Sequence, residues 1–224
     1  MRKLISAFAI VLVAATMAFA QSSGSFNFTD TPLKCILNSS TGALSGGAAG
    51  LTLLKTTMKT SSGNGNAFVI RPSAVVGLLT DVTVSSKQGS GTVSSSAQAG
   101  VDFKVTVTPL SGQAAPTVTP AAPVTYADRF IQISTNLFNA IAAACLANPD
   151  GSGGCFITFN ESTLDAHSFD WVATGLSSGD YGLEVDWSSS TANSGISTSA
   201  TCVGPVNFTV QQVKIFTPST GISF

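Results

Sequence analysis

Asp170, Glu184 and Asp186 are the residues whose type and spacing come nearest to chemistry in this 224-residue chain. Glu184 and Asp186 alternate with apolar residues, and Asp170 lies on the preceding alternating segment, so the reading places all three on the polar faces of strands paired as a hairpin. Like charges facing each other across strands repel. Crowded carboxylates therefore need an offset: water and salt, basic residues of the same chain, a neighbouring subunit, or a divalent cation. Calcium takes about 6 to 8 oxygen ligands, and carboxylates backed by loop carbonyls would serve it. Asp170, Glu184 and Asp186 are the metal candidates on that reading, and no other cofactor is expected.

The other constellations are weaker. Glycoside hydrolysis needs two carboxylates roughly 5 to 10 Å apart. Glu161 with Asp165, or Asp170 with Glu184, would supply a pair, but nothing in the spacing singles either out from ordinary surface acids. His167 with Ser168, Asp165 and Asp170 has the composition of a catalytic triad. Adjacent strand residues point to opposite faces, so Ser168 turns away from the imidazole. His167 shares the parity of Phe169 and Trp171, which predicts a partly buried, hydrogen-bonded side chain. The loop Asn148, Asp150, Ser152, Gly153 has part of an EF-hand spacing, yet its twelfth position is Phe159 where a bidentate Glu is required. Zinc is disfavoured by the presence of one His. Trp171, Tyr181 and Trp187 would stack on sugar rings if exposed, but they fall on the apolar parity and are expected in the core. Sequons at Asn27, Asn38, Asn160 and Asn207 accept glycans only in a host that glycosylates them. The expectation is a chain without catalytic residues.

Residues 1–20 read as a signal peptide: Arg2 and Lys3, an apolar run from Leu4 to Val13, then Ala18 and Ala20 bracketing Phe19. Cleavage after Ala20 leaves Gln21 first, with no thiol for lipid attachment. The apolar run is shorter than the ~18 residues of a membrane span. A secreted or periplasmic product is expected. Of 10 basic and 11 acidic residues, loss of Arg2 and Lys3 leaves 8 and 11, net −3, which is no nucleic-acid footprint. Charged residues make up 9% of the chain against ~25% in typical domains, so little charge repulsion keeps copies apart. The charge is also segregated. Residues 21–129 carry 7 basic and 4 acidic residues, whereas 130–224 carry 7 acidic residues and Lys214 alone. Exported cysteines in even number read as disulfides. Cys35, Cys145, Cys155 and Cys202 allow three pairings, of which Cys145 with Cys155 across a turn-rich loop, leaving Cys35 with Cys202, is favoured.

The elements that must position these residues show period-2 alternation. Val101, Phe103, Val105 and Val107 alternate with polar residues, as do Tyr181, Leu183, Val185 and Trp187. Further strands are expected over 51–59, 66–71, 78–87, 92–97, 128–134, 156–160, 167–173 and 206–216. Ten or so short strands predict an all-β, two-sheet sandwich with jelly-roll-like connectivity, the alternative being two immunoglobulin-like halves. The Ala-rich run near 135–147 predicts one short helix. The stretch 109–123, holding four of nine prolines, reads either as a linker or as a long edge connection. The organisation expected is a signal peptide (1–20), an N-terminal arm with first strands (21–50), a sandwich (51–217) and a tail (218–224). An outer-membrane barrel strand ending at Phe224 is disfavoured by Pro218.

The segment Leu176, Ser177, Ser178, Gly179, Asp180, Tyr181, followed by Gly204 and a strand from Val206, resembles the closing hairpin of jelly-roll modules of the C1q and tumour-necrosis-factor type. Its L-x-x-G-x-Y part also resembles the tyrosine corner of immunoglobulin-like and fibronectin type III domains. Residues 130–134 and 162–169 are similar to segments of secreted bacterial β-sandwich proteins. These resemblances imply a fold and transfer no catalytic residue. The function expected is a secreted, non-catalytic structural or recognition module that self-associates into homo-oligomers. The alternatives are a carbohydrate-binding module, with or without calcium, and a polysaccharide-acting enzyme built on Glu161, Asp170 and Glu184.

Overall fold

The computed structural model describes residues 25–48, 52–60, 65–86, 94–134 and 155–215. The predicted helix near 135–147, the Cys145–Cys155 pairing, the Asn148–Gly153 loop, the signal peptide and the tail lie outside them.

The described chain is all-β, in twelve strands: β1 (Phe26–Thr31), β2 (Cys35–Leu37), β3 (Leu44–Gly46), β4 (Thr52–Thr60), β5 (Asn66–Ser86), β6 (Ser95–Pro109), β7 (Thr117–Thr119), β8 (Val124–Ile133), β9 (Cys155–Ser168), β10 (Trp171–Thr174), β11 (Gly179–Ser194) and β12 (Ile196–Lys214). The first sheet runs β1-β12-β5-β10-β7, with β9 also on β5; the second runs β4-β11-β6-β8. All named pairings are antiparallel. Setting aside β7 and the small β2–β3 hairpin, and counting β9 and β10 as one arm on β5, the main strands pair first with last, second with second-last, and so inward to β6 with β8. That nesting is one long antiparallel hairpin rolled into two layers, the jelly roll. It excludes two independent immunoglobulin-like halves, because β5 and β12 pair from Asn66↔Lys214 to Thr83↔Ile196.

One core cluster draws on both sheets. Phe68, Ile70 and Val76 of β5 meet Phe103 of β6, Leu183 and Trp187 of β11, and Phe208 of β12. Trp171, Tyr181 and Trp187 are fully buried, as their parity predicts. A ring series crosses the interior: Phe103 stacks on Trp187 at 5.5 Å and on Tyr126 at 4.1 Å, and Tyr126 lies 6.3 Å from Trp171. At the turn before β11, the Tyr181 hydroxyl accepts the Ser177 N–H (3.0 Å) and donates to the Ser177 carbonyl. This is tyrosine-corner geometry, and Thr60 supports it by donating to the Ser177 carbonyl and accepting the Gly179 N–H.

Several strands are longer than alternation predicts. The segments 66–71 and 78–87 are parts of one strand, β5, which the sequence splits because Pro72 and Gly77 read as breakers. Both are accommodated by tertiary partners. Pro72 stands opposite Phe169, in the gap between β9 and β10 that otherwise share one register on β5. There the Tyr126 hydroxyl from the other sheet takes a hydrogen bond from the Phe169 backbone and donates to the Pro72 carbonyl at 2.8 Å. A side chain thus bridges the Phe169 N–H and the Pro72 carbonyl at the point where the ladder is interrupted. Gly77 pairs with Cys202 and lies beneath the Cys35–Cys202 disulfide. A Cβ on Gly77 would sit 2.6 Å from Cys35 Sγ and 2.9 Å from Cys202 Sγ. Gly77→Ala is therefore expected to destabilise the oxidised protein by about 1 to 3 kcal/mol, an overpacking cost. Urea unfolding measures it, and the cost should shrink when both cysteines are replaced by alanine.

The proline-rich stretch is an edge connection. It carries β7 across to β10 of the first sheet before β8 returns to pair with β6.

Candidate functional site

The winding of the chain separates the predicted carboxylates. Asp170 does not share a hairpin with Glu184 and Asp186: β10 pairs with β5 and β7, while β11 lies in the second sheet between β4 and β6. The four residues joining β10 to β11 arch from one sheet to the other, as the rolled topology requires. Asp170 and Glu184 therefore occupy opposite outer faces. Among the described residues no group of three or more His, Cys, Asp or Glu side chains is placed to hold a metal ion.

Two of the three carboxylates instead meet a cation. Asp170 takes Arg71 through both oxygens, at 2.5 and 2.6 Å. The Arg71 hydrogen bonds and charge hold the Asp170 carboxyl below its ordinary range, and Asp170 in turn raises the Arg71 guanidinium. Glu184 pairs with Lys55 at 2.5 Å. Its neighbours follow the same rule across the ladder, Asp180 opposite Lys59 and Asp186 opposite Lys104. Opposite charges in register stabilise what a carboxylate row alone would not.

Glu161, Thr163, Asp165 and His167 occupy alternate positions of β9, on the side facing the sandwich, because their β5 partners Thr80, Leu78, Val76 and Ala74 are core positions. Arg129 reaches over from β8 to donate to Thr163 at 2.9 Å and approaches Glu161 at 3.6 Å. Four residues of strand separate Glu161 from Asp165 by about 13 Å along the backbone, wider than a glycosidase pair. His167 is half-buried, its ring 6.3 Å from Tyr126. Ser168 lies opposite Ser73 on the other face, so the triad geometry is absent.

What sequence reasoning missed is β1. Phe26, Asn27, Phe28, Thr29, Asp30 and Thr31 alternate, and alternation alone would bury the phenylalanines. The structure inverts that parity: Phe26 and Phe28 are about 60% exposed, while Thr31 is buried and Asn27 and Thr29 half-buried. The inversion follows from position. β1 is an edge strand, and its inward side meets the rim of the second sheet, where Asn27 accepts the Phe28 N–H and donates to the Thr57 carbonyl at 2.6 Å. A polar side chain suits that seam and caps an open strand edge.

The two phenylalanine rings lie 6.3 Å apart with planes 31° apart, on the outer face of the first sheet. From Phe28 the register runs across the strands to Thr209, Arg71 and Asp170. From Phe26 it runs to Gln211, Val69 and Val172. The far part of the same face is occupied by the β2–β3 hairpin, stapled at Cys202 and bridged from Ala48 to Val203. The near part is an open platform with aromatic rings at one margin, Thr209, Gln211 and the Arg71–Asp170 pair across it, and Val69 and Val172 at the far end of the Phe26 row.

No protein-family model matches the chain, and no curated protein matches it.

Proposed function

We propose that this chain is an exported, non-catalytic recognition module that binds through the outer face of its first sheet. The observation that carries the reading is the inverted parity of β1. Two large apolar side chains stand side by side facing water on one edge strand, and it is adjoining exposed apolar groups, not single ones, that are informative on a folded surface. The basic start, apolar run and Ala-x-Ala end of residues 1–20 support export, and the long-range disulfide suits an oxidising compartment. Among the described residues no helix is long and apolar enough to cross a membrane.

Part of the charge segregation is met within one molecule. Arg71–Asp170, Lys55–Glu184 and Arg129–Glu161 each join a cation of the basic half to a carboxylate of the acidic half within one molecule. These three pairs join the two halves of the charge distribution and leave the remaining charges for solvent or a ligand.

Co-sedimentation with insoluble neutral and acidic polysaccharides, run beside an assay for new reducing ends, tests the reading. Retention without turnover is expected, unchanged by a calcium chelator. Release of reducing ends that Glu161→Gln abolishes would replace recognition with hydrolysis, and chelator-sensitive retention would bring calcium back.

A further inference from the structure

Resting on that reading, we infer that the platform takes an uncharged carbohydrate chain, laid from Phe26 and Phe28 across the strands towards Arg71 and Asp170. A pyranose ring has an apolar C–H face and a rim of hydroxyls, and it needs both an aromatic surface and fixed polar partners. Aromatic rings carry a negative face that attracts C–H groups, and here two of them share one side of an edge strand, 6.3 Å apart. Gln211 and Thr209 lie next in register, followed by Arg71. The two-pronged Arg71–Asp170 pair fixes the guanidinium in one orientation with N–H donors to spare. Planar, pre-positioned groups of this kind bind hydroxyls without a large ordering cost.

Charge selects against other ligands. The only cation in the Phe28 row is neutralised by Asp170, and the neighbouring row begins with Asp30 opposite Asn207. An anionic polymer meets no net positive charge there. Area selects against a second copy of the chain. Two phenylalanines about 60% exposed offer on the order of 200 to 300 Å² of apolar surface, against about 800 Å² per partner in a stable interface. Beyond them, a second copy would have to strip water from Thr209, Gln211 and an ion pair. From Phe28 to Asp170 the platform spans three strand intervals, about 14 Å, the reach of a short oligosaccharide.

The test uses the oxidised mature chain with neutral hexasaccharides of glucose, xylose and mannose, measured by titration calorimetry. Binding of at least one is expected, weakened about tenfold or more by Phe26→Ala and by Phe28→Ala. Phe130→Ala, an exposed phenylalanine on the second sheet, should leave it unchanged, and equal melting temperatures would show that all three variants fold. Failure of the wild type to bind any hexasaccharide overturns the inference, as does binding indifferent to Phe28→Ala. If the chain is retained on an acidic polymer alone, recognition stands and the uncharged ligand falls. If light scattering shows a dimer that Phe28→Ala dissolves, with no sugar bound, a second copy is the occupant.

Discussion

Cys202→Ser is expected to lower the unfolding free energy by about 5 kcal/mol, the loop-entropy estimate for a large closed loop. Cys35 and Cys202 are 167 residues apart in sequence with Cα atoms 5.6 Å apart, so the bond constrains nearly the whole described chain in its unfolded state. It also staples a hairpin that is otherwise weakly held. β2 and β3 pair over three positions, too few to be stable alone. Guanidinium unfolding of the variant should shift to lower denaturant, and that of the wild type under reductant, which also opens the expected Cys145–Cys155 bond, should shift at least as far. A midpoint unmoved by reduction would show that the hairpin docks without the bond. Because the staple sits on the face that carries Phe26 and Phe28, its loss should loosen the wall of the platform as well as the fold.

Tyr126→Ala should cost about 3 to 5 kcal/mol through the lost ring alone, and more through the two backbone groups left without a partner. The ring stacks on Phe103 at 4.1 Å, and the hydroxyl bridges the Phe169 backbone and the Pro72 carbonyl. Tyr126→Phe separates the contributions: it keeps the stack and removes the bridge, at about 1 to 3 kcal/mol. The phenol also gives an alkaline signature. Burial, the largest cause, pushes its pKa above the ordinary 10.0, so the folded state holds the proton more tightly than the unfolded state. Its stabilisation is complete below pH ~10 and declines above that as the unfolded phenol ionises. Urea midpoints followed upward from about pH 8 should fall less steeply in Tyr126→Phe. Parallel curves would show that Tyr126 plays no part in the alkaline transition.

Among the described residues, the three ion pairs explain a feature that the sequence displayed without resolving. A basic first half and an acidic second half are compatible with assembly, metal binding or internal pairing. The rolled topology supplies part of the internal pairing, because it nests early strands against late ones and so brings Lys55 to Glu184 and Arg71 to Asp170. The same topology removed Asp170 from the cluster with Glu184 and Asp186. Strands adjacent in sequence are expected to pair, and here the chain alternates between layers from one main strand to the next except at β6 and β8 and at β9 and β10.

By itself the sequence determined the layer architecture and the interior of the described core. Period-2 alternation is a local property, set by a backbone that points successive side chains to opposite faces, and it placed Trp171, Tyr181, Leu183, Val185 and Trp187 correctly. Tertiary structure alone decided what depends on a distant partner. Pro72 and Gly77 lie inside a strand because Tyr126 caps the Pro72 carbonyl and the Phe169 N–H beside one and a disulfide fills the space above the other. Phe26 and Phe28 face water because β1 is an edge, and being an edge is a fact about neighbours. Local pattern states which side chains share a face; only the assembled sheets state which face meets solvent.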